Sequence, residues 1–333
     1  MSSTNGMIRM AMIGCGQIAR AHLKALDNVP GICVTWCQDL NQERAATAAG
    51  PCNAQATTDY GHVLAAPDVD AVFICLPHHL HEPFGVEAAA AGKHVLVEKP
   101  MAMNQTEAQR MVDAADRAGV SLCVGQSTRC MAGMRQAHAL LADGVIGDIR
   151  HIMYQRVFFV EKLSTEWRRV EGECGGLYLS IFGSHDVDVA LWLMSAVTGA
   201  AAVPARVWSS LRANSQASGG DSDGVLCLDF DDGRLTTFQF SLCSRQNRHE
   251  TLVVGAQGTL SVLGNEVRLN GELVEAQMPA NVYADAFSEQ LRQFVAALRG
   301  EGPLPAPGRE VLTVVRTLDL ARESAELGLP RDF

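Results

Sequence analysis

A chain of 333 residues exceeds one ordinary core and predicts about two domains at roughly 150 residues each. Hydrophobic residues at 47% and charged residues at 19% indicate a soluble globular protein. The net charge of −10 argues against a nucleic-acid or anionic-membrane partner, either of which needs a basic face, and no apolar run reaches the ~20 residues of a bilayer span.

In chain order, the start (Met1 to Arg9) is polar and lacks a secretory pattern, which predicts a cytoplasmic protein. The first ~125 residues alternate short apolar runs with helical periods. Met7–Ile13, Ile32–Gln38, Ala71–Leu76, His94–Val97 and Ser121–Gly125 read as strands. Ile18–Leu26, Gln42–Ala49, His81–Ala91 and Thr106–Ala118 read as helices. Apolar, non-alternating strands between helices predict a doubly wound parallel sheet, and the texture changes after Gly125. The expected domains are therefore 1–125 and 126–333. The second begins with a helix (Met131–Ala142), a long strand (Ile149–Phe159) and a helix from Ser184 to Met194. Short strands punctuated by Asp-Asp-Gly, Gly-Asn and Asn-Gly fill Arg206 to Glu275 and predict an antiparallel sheet; Ser209–Gly220 reads as a surface loop. Helices Ala284–Leu298 and Arg309–Leu327 close the chain.

Ten cysteines show no paired CxxC units and read as small buried hydrophobes kept reduced. The cluster His78, His79, His81 lacks the spacing to place three ligands on one helix face, so no metal is expected.

Between the first strand and first helix lies Gly14-Cys15-Gly16-Gln17-Ile18-Ala19. Gly14 allows the tight turn, Gly16 lets the backbone approach a pyrophosphate, and Ala19 permits close helix–strand packing. The helix start would offer its amides and positive dipole end to the phosphates. Asp39, 20 residues beyond Ala19, is placed to accept a ribose 2′-OH and to repel a 2′-phosphate. NAD is therefore expected; Arg44 keeps NADP as the less favoured alternative.

At the carboxyl end of His94–Val97 sits Glu98-Lys99-Pro100. Taken with Gly14–Ala19, Pro77/His81, Gly92-Lys93-His94 and Gly183-Ser184-His185, this stretch resembles the Gfo/Idh/MocA oxidoreductase family over nearly the whole chain. The resemblance implies an α/β fold: an N-terminal Rossmann domain, and a C-terminal domain with a large, open, mostly antiparallel sheet. It also implies NAD(P) as cofactor, substrates such as sugars, inositols, sugar phosphates or dihydrodiols, and a cis peptide at Pro100. Lys99, beyond the strand ends where ligands bind in such sheets, would be partly desolvated and would stabilise a developing alkoxide. The cofactor-binding set so implied is Gly14, Gly16, Gln17, Ile18, Ala19, Asp39, Arg44, Leu76, Pro77, His78, His81, Glu98, Lys99 and Gln126.

The segment Gly175–Asp188 resembles the family's substrate-domain motif, in which an Asp precedes a helix-start His by four residues. His185 matches the proton acceptor, whose ordinary pKa near ~6.5 suits that work. The Asp position is Ile181, which cannot exchange a proton or orient an imidazole; Ser180 or another group would have to substitute, or the substrate is apolar there. Asp186 and Asp188 are expected to point elsewhere. Tyr154, Arg156, Trp167, Arg168, Tyr178 and Ile181 are the substrate-side candidates, with Arg129 a further one.

The expected function is an NAD-dependent dehydrogenase or reductase acting on CH–OH groups. It would transfer hydride between nicotinamide and a secondary alcohol or ketone of a sugar, polyol or cyclic diol, with Lys99 and His185 catalytic. The alternatives are a lyase or glycosidase-type enzyme using tightly bound NAD for transient oxidation, and a non-catalytic dinucleotide-binding sensor. An antiparallel sheet with one open face further predicts a homodimer or homotetramer through the C-terminal sheet.

Overall fold

The computed structural model describes residues 6–217, 219–274 and 281–333. Part of the polar start, Ser218 and Glu275 lie outside them; of the surface loop expected over 209–220, residues 209–212 instead belong to the strand Arg206–Arg212, with Ser209 buried. The chain forms two compact units, each discontinuous in sequence, where composition alone suggested a single break at 125. One runs to Cys130 and takes back Tyr283–Leu312; the other comprises Met131–Val282 and Thr313–Phe333.

In the first unit, β1 (Ile8–Ile13), α1 (Gln17–Leu26), β2 (Ile32–Gln38), α2 (Gln42–Cys52), β3 (Gln55–Thr57), α3 (Tyr60–Ala65), β4 (Ala71–Ile74), α4 (His81–Ala90), β5 (His94–Val97), α5 (Gln105–Ala118) and β6 (Leu122–Val124) alternate, with β3 and α3 added to the elements expected. All six strands are parallel, in the order β3-β2-β1-β4-β5-β6, the Rossmann arrangement. Every residue of β4 is buried, which is why its sequence is an uninterrupted apolar run. Local chemistry fixes the helix ends. Asn41 accepts from the Arg44 amide and Asn104 from the Glu107 amide, while Glu107 reaches back to the Met103 amide at 3.1 Å. The core joins Met10, Met12, Phe73 and Leu96 to Leu291, Phe294 and Val295 of the helix Val282–Leu298. That late helix makes the unit discontinuous. Apolar periodicity announces such a helix without naming the surface it covers.

The second unit opens with α6 (Ala132–Ala142) and the long strand β7 (Ile149–Phe159). After the short helix α7 (Glu171–Cys174), Gly175 and Gly176 turn the chain with φ of +75° and +112°. Leu179–Gly183 form a π-helical turn that runs straight into α8 (Ser184–Ser195). Then come β8 (Arg206–Arg212), β9 (Asp223–Asp229), β10 (Leu235–Ser241), β11 (Cys243–Gly255), β12 (Thr259–Leu263), β13 (Glu266–Leu269), β14 (Glu272–Leu273) and β15 (Arg331–Asp332). They form one nine-stranded sheet, β14-β13-β12-β11-β7-β10-β9-β8-β15, antiparallel except where β7 meets β10. The predicted Asn-Gly hairpin is present: Asn270 and Gly271, both at positive φ, join β13 to β14. Along β7, Ile152 and Tyr154 are buried while Met153 between them is exposed, so one face of the sheet packs and the other is open. No helix of the described residues is long and apolar enough to cross a membrane.

Candidate active site

The residues expected to hold a dinucleotide follow the carboxyl ends of β1, β2, β4, β5 and β6 within the first unit. Backbone bonds knit those ends together: Gly14 N–H donates to Gln38 O, Cys75 to Ile13, Glu98 to Ile74 and Gly125 to Val97, all at 2.7–2.9 Å. Gly14 has φ +83°, and a Cβ there would meet the Cys75 carbonyl oxygen at 2.6 Å; only glycine fits. Among the described residues nothing lies within 4 Å of where a Cβ on Gly16 would sit, and no side chain caps the first amides of α1. Open room beside unclaimed helix amides suits a pyrophosphate. Gln17 is exposed and Ile18 half-buried in the first turn of that helix, while Ala19 is fully buried against the sheet.

Asp39 is half-buried at the end of β2, its carboxylate accepting from the Cys15 amide at 2.9 Å and the Asn41 amide at 2.8 Å. It braces the glycine loop directly, and a carboxylate's further lone pairs leave it able to accept a ribose hydroxyl as well. Arg44 is exposed in the first turn of α2.

Leu76 and Pro77 are half-buried, and His78 is buried with its ring 5.7 Å from that of His81. The fully buried His81 ring faces two carbonyls, Pro100 O at 2.7 Å and Leu76 O at 2.9 Å. Burial lowers its pKa against those two carbonyls, which favour the proton. With both nitrogens engaged inside the unit, this histidine ties the loop after β4 to the loop after β5. Among the described residues no group of three His, Cys, Asp or Glu side chains is arranged to hold a metal ion.

Glu98 is buried, with Oε1 2.6 Å from His22 Nε2 and Oε2 accepting from the Lys99 amide at 3.2 Å. Burial would raise its pKa, but the His22 hydrogen bond and the Lys99 charge hold it below the ordinary carboxylate value. Lys99 is half-buried and its bond to Pro100 is cis, as the resemblance implied. Gln126 is buried at the end of β6. Arg129 is engaged inside the same unit by Glu310 at 2.8 Å and by the Pro305 carbonyl. Sequence reasoning missed His22. The available signal was its place on the buried stripe Ala19-His22-Ala25 of α1, where an imidazole must find a partner.

In the second unit, His185 occupies the first turn of α8, immediately after the π-helical turn. Position 181 lies within that turn and position 185 in the helix that continues it. Ile181 is buried. Ser180, weighed as a substitute for the absent carboxylate, is committed elsewhere: its hydroxyl donates to Gly175 O and accepts from Arg322 at 2.9 Å. Asp221 holds the same segment by accepting from the Leu177 and Leu179 amides at 2.8 and 2.7 Å. Trp167 and Arg168 lie half-buried in a single turn, with the guanidinium 5.2 Å over the indole.

Asp186 is the centre of a cluster that sequence reasoning did not anticipate. Tyr154 and Tyr178 donate to its two oxygens at 2.6 and 2.5 Å, and Arg156 approaches at 2.7 Å. His249 of β11 contacts both Tyr154 and Arg156. Tyr178 also stacks on Phe240 with ring centroids 3.8 Å apart. Burial first, and the Asp186 charge second, push the Tyr178 phenol well up. Against burial, the Asp186 carboxylate keeps Arg156 charged. Burial and the neighbouring guanidinium push His249 down to about 4. Tyr154, Arg156 and Tyr178, read from sequence as facing a substrate, thus turn polar atoms inward to a shared carboxylate.

Comparison with known proteins bears on both units. Residues 8–126 match the model of the Gfo/Idh/MocA "oxidoreductase family, NAD-binding Rossmann fold", and residues 138–330 match that family's C-terminal alpha/beta domain. Inositol 2-dehydrogenase 2 of Paenarthrobacter aurescens is 30% identical, covering 92% of each chain. The 1,5-anhydro-D-fructose reductase of Ensifer adhaerens is 29% identical over 91% of this chain and 92% of its own. Among solved structures, the WlbA dehydrogenase of Bordetella pertussis, in complex with NADH and UDP-GlcNAcA, shares the fold with a TM-score of 0.87 at 24% identity, covering 100% of this chain and 99% of that one.

Proposed function

The chain belongs to the Gfo/Idh/MocA family of NAD(P)-dependent oxidoreductases, and from that premise we propose that it oxidises a secondary alcohol, or reduces the matching ketone, of a sugar, polyol or cyclic diol, with NAD rather than NADP. The observation that carries this reading is the gathering of the open Gly16 space, Asp39 and the Glu98-Lys99-Pro100 turn beyond the carboxyl ends of neighbouring parallel strands. The activities named for the inositol and anhydrofructose relatives support the substrate class.

A bound dinucleotide supplies a nicotinamide ring that takes up or releases hydride. The first-turn amides of α1, with Gly14 and Gly16, hold its phosphates. Asp39 accepts the ribose hydroxyls, and its charge disfavours a 2′-phosphate; Arg44 is the residue that would have to compensate. Lys99 stabilises negative charge on the reacting oxygen, and His185 takes the hydroxyl proton. Ile181 and Ser180 offer no carboxylate four or five residues before His185, where the family motif has its Asp.

Titration with NADH and with NADPH by fluorescence, then a polyol panel followed by absorbance of the reduced cofactor, tests the reading. Binding of neither nucleotide, or unchanged turnover in Lys99→Met and His185→Ala, overturns it. Product formed with no net reduced NAD, from protein that co-purifies with cofactor, would instead favour transient oxidation by tightly held NAD, an outcome that the missing carboxylate at Ile181 keeps in play.

We further infer a homo-oligomer. One row across the open face of the nine-stranded sheet runs through Trp208, Cys227, Thr237, Met153 and Leu252; Trp208 and Met153 are exposed and the other three half-buried. A second copy of the same face would cover this mixed, mostly apolar row. Light scattering that finds a monomer rejects the inference. The ten cysteines form no disulfide, which suits the reducing cytoplasm we assign to the protein.

A further inference from the structure

We propose that His22 is a positioning residue for Lys99, acting through the carboxylate of Glu98; the proposal rests on the dinucleotide reading above. His22 lies on α1, the helix whose amides are open to phosphate, and its ring is wholly buried. It packs between Phe73 and Phe287, with ring centroids at 4.5 and 4.3 Å. A leucine or phenylalanine would fill such a slot without a polar atom to satisfy, so the imidazole needs a reason. Among the described residues its hydrogen bond is the one from Nε2 to Glu98 Oε1 at 2.6 Å, and its Nδ1 has no partner there.

Glu98 divides its two oxygens between elements. Oε1 faces α1, and Oε2 accepts from the backbone amide of Lys99. The loop after β6 leaves room for this carboxylate, since a Cβ on Gly125 would approach Oε1 to 3.2 Å. One rigid helix therefore presents its first turn to the phosphates and, less than two turns on, grips the side chain that fixes the Lys99 peptide. A buried carboxylate oxygen that loses its donor must find another, and the turn that carries Lys99 would shift to supply it.

The lysines of this chain are Lys24, Lys93, Lys99 and Lys162, of which Lys24 and Lys162 are exposed. Acetylation of Lys99 by an N-hydroxysuccinimide ester, referenced to those two and read by peptide mass spectrometry with and without NADH, reports the setting of Lys99 without any substrate. In the full-length protein, His22→Leu is expected to speed Lys99 acetylation about tenfold and to erase NADH protection. His22→Gln, which returns an N–H near the place of Nε2, is expected to restore both. Should His22→Leu fail to fold, Glu98→Gln takes its place with the same readings. Folded His22→Leu, or Glu98→Gln in its stead, with acetylation within about twofold of wild type overturns the proposal. So does His22→Gln behaving as His22→Leu. If NADH protects no lysine in the wild type, the dinucleotide reading fails while the nucleotide-free rates still decide the role of His22.

Discussion

Gly14 and Gly16, two residues apart, are predicted to fail for different reasons when given the same methyl group. Gly14→Ala places a Cβ 2.6 Å from the Cys75 carbonyl oxygen and 2.8 Å from Leu76 Cδ2, at φ +83°. The left-handed backbone costs about 1–2 kcal/mol. The overlap with a backbone atom, which cannot swing aside as a side-chain tip can, adds a comparable amount, for a total of about 3 kcal/mol. Thermal unfolding should fall by about 4–10 °C, the lower figure for the chain melting as a whole and the upper for the first unit melting by itself. Gly16→Ala meets nothing within 4 Å and keeps an ordinary negative φ of −74°, so its melting temperature without nucleotide should stay within about 2 °C of wild type. The methyl would instead stand where a pyrophosphate must approach the α1 amides. Losing one such charge-assisted bond costs about 2–3 kcal/mol, or roughly 30- to 150-fold in NADH affinity. Thermal scans with and without NADH, plus a fluorescence titration, separate the two effects. A Gly16→Ala protein that binds NADH within about threefold of wild type would refute the placement of phosphate at this helix.

Three further outcomes concern the second unit. Asp186→Ala leaves Arg156 charged and buried, and urea unfolding should show a loss of about 3–5 kcal/mol, part of which the added change Arg156→Met recovers. Tyr178→Phe keeps the stack on Phe240 but removes one donor to Asp186, a loss of about 1–2 kcal/mol by the same assay. His249 has a folded-state pKa of about 4, below the ~6.5 of an unfolded chain, so the unfolded state binds more protons between those values. Its contribution is complete above about pH 6.5 and is lost as pH falls toward 4, by on the order of 2–3 kcal/mol. Urea midpoints across that range should fall for wild type and flatten in His249→Asn.

Most strands and helices were legible because their burial is one-dimensional. Ala71–Ile74 is apolar throughout, as a strand covered on both faces must be, and the helix Gln105–Ala118 carries its own cap residues. The strand Gln55–Thr57 and the helix after it escaped notice because three residues at a sheet edge, with Gln55 exposed, make no apolar run. Site residues near the strand ends were legible through glycine and proline, whose backbone needs are local. The partners of Asp186 were not. Tyr154 is 32 residues away and His249 further still, and only the pairing of β7 with β11 brings those two strands side by side. A carboxylate in an apolar helix announces that it needs donors without saying which strand will supply them.

The late helix Val282–Leu298 has a consequence for how this protein is made. Leu291, Phe294 and Val295 complete a core whose remaining members are all translated before residue 131. At the usual ~5–20 residues per second, the ribosome finishes those early strands and then spends on the order of ten seconds on the intervening stretch. Throughout that interval the nascent Rossmann unit exposes the apolar surface that this helix will cover, so chaperones have a defined window in which to bind it, and a polypeptide stopped at Cys130 would be born with that surface permanently open.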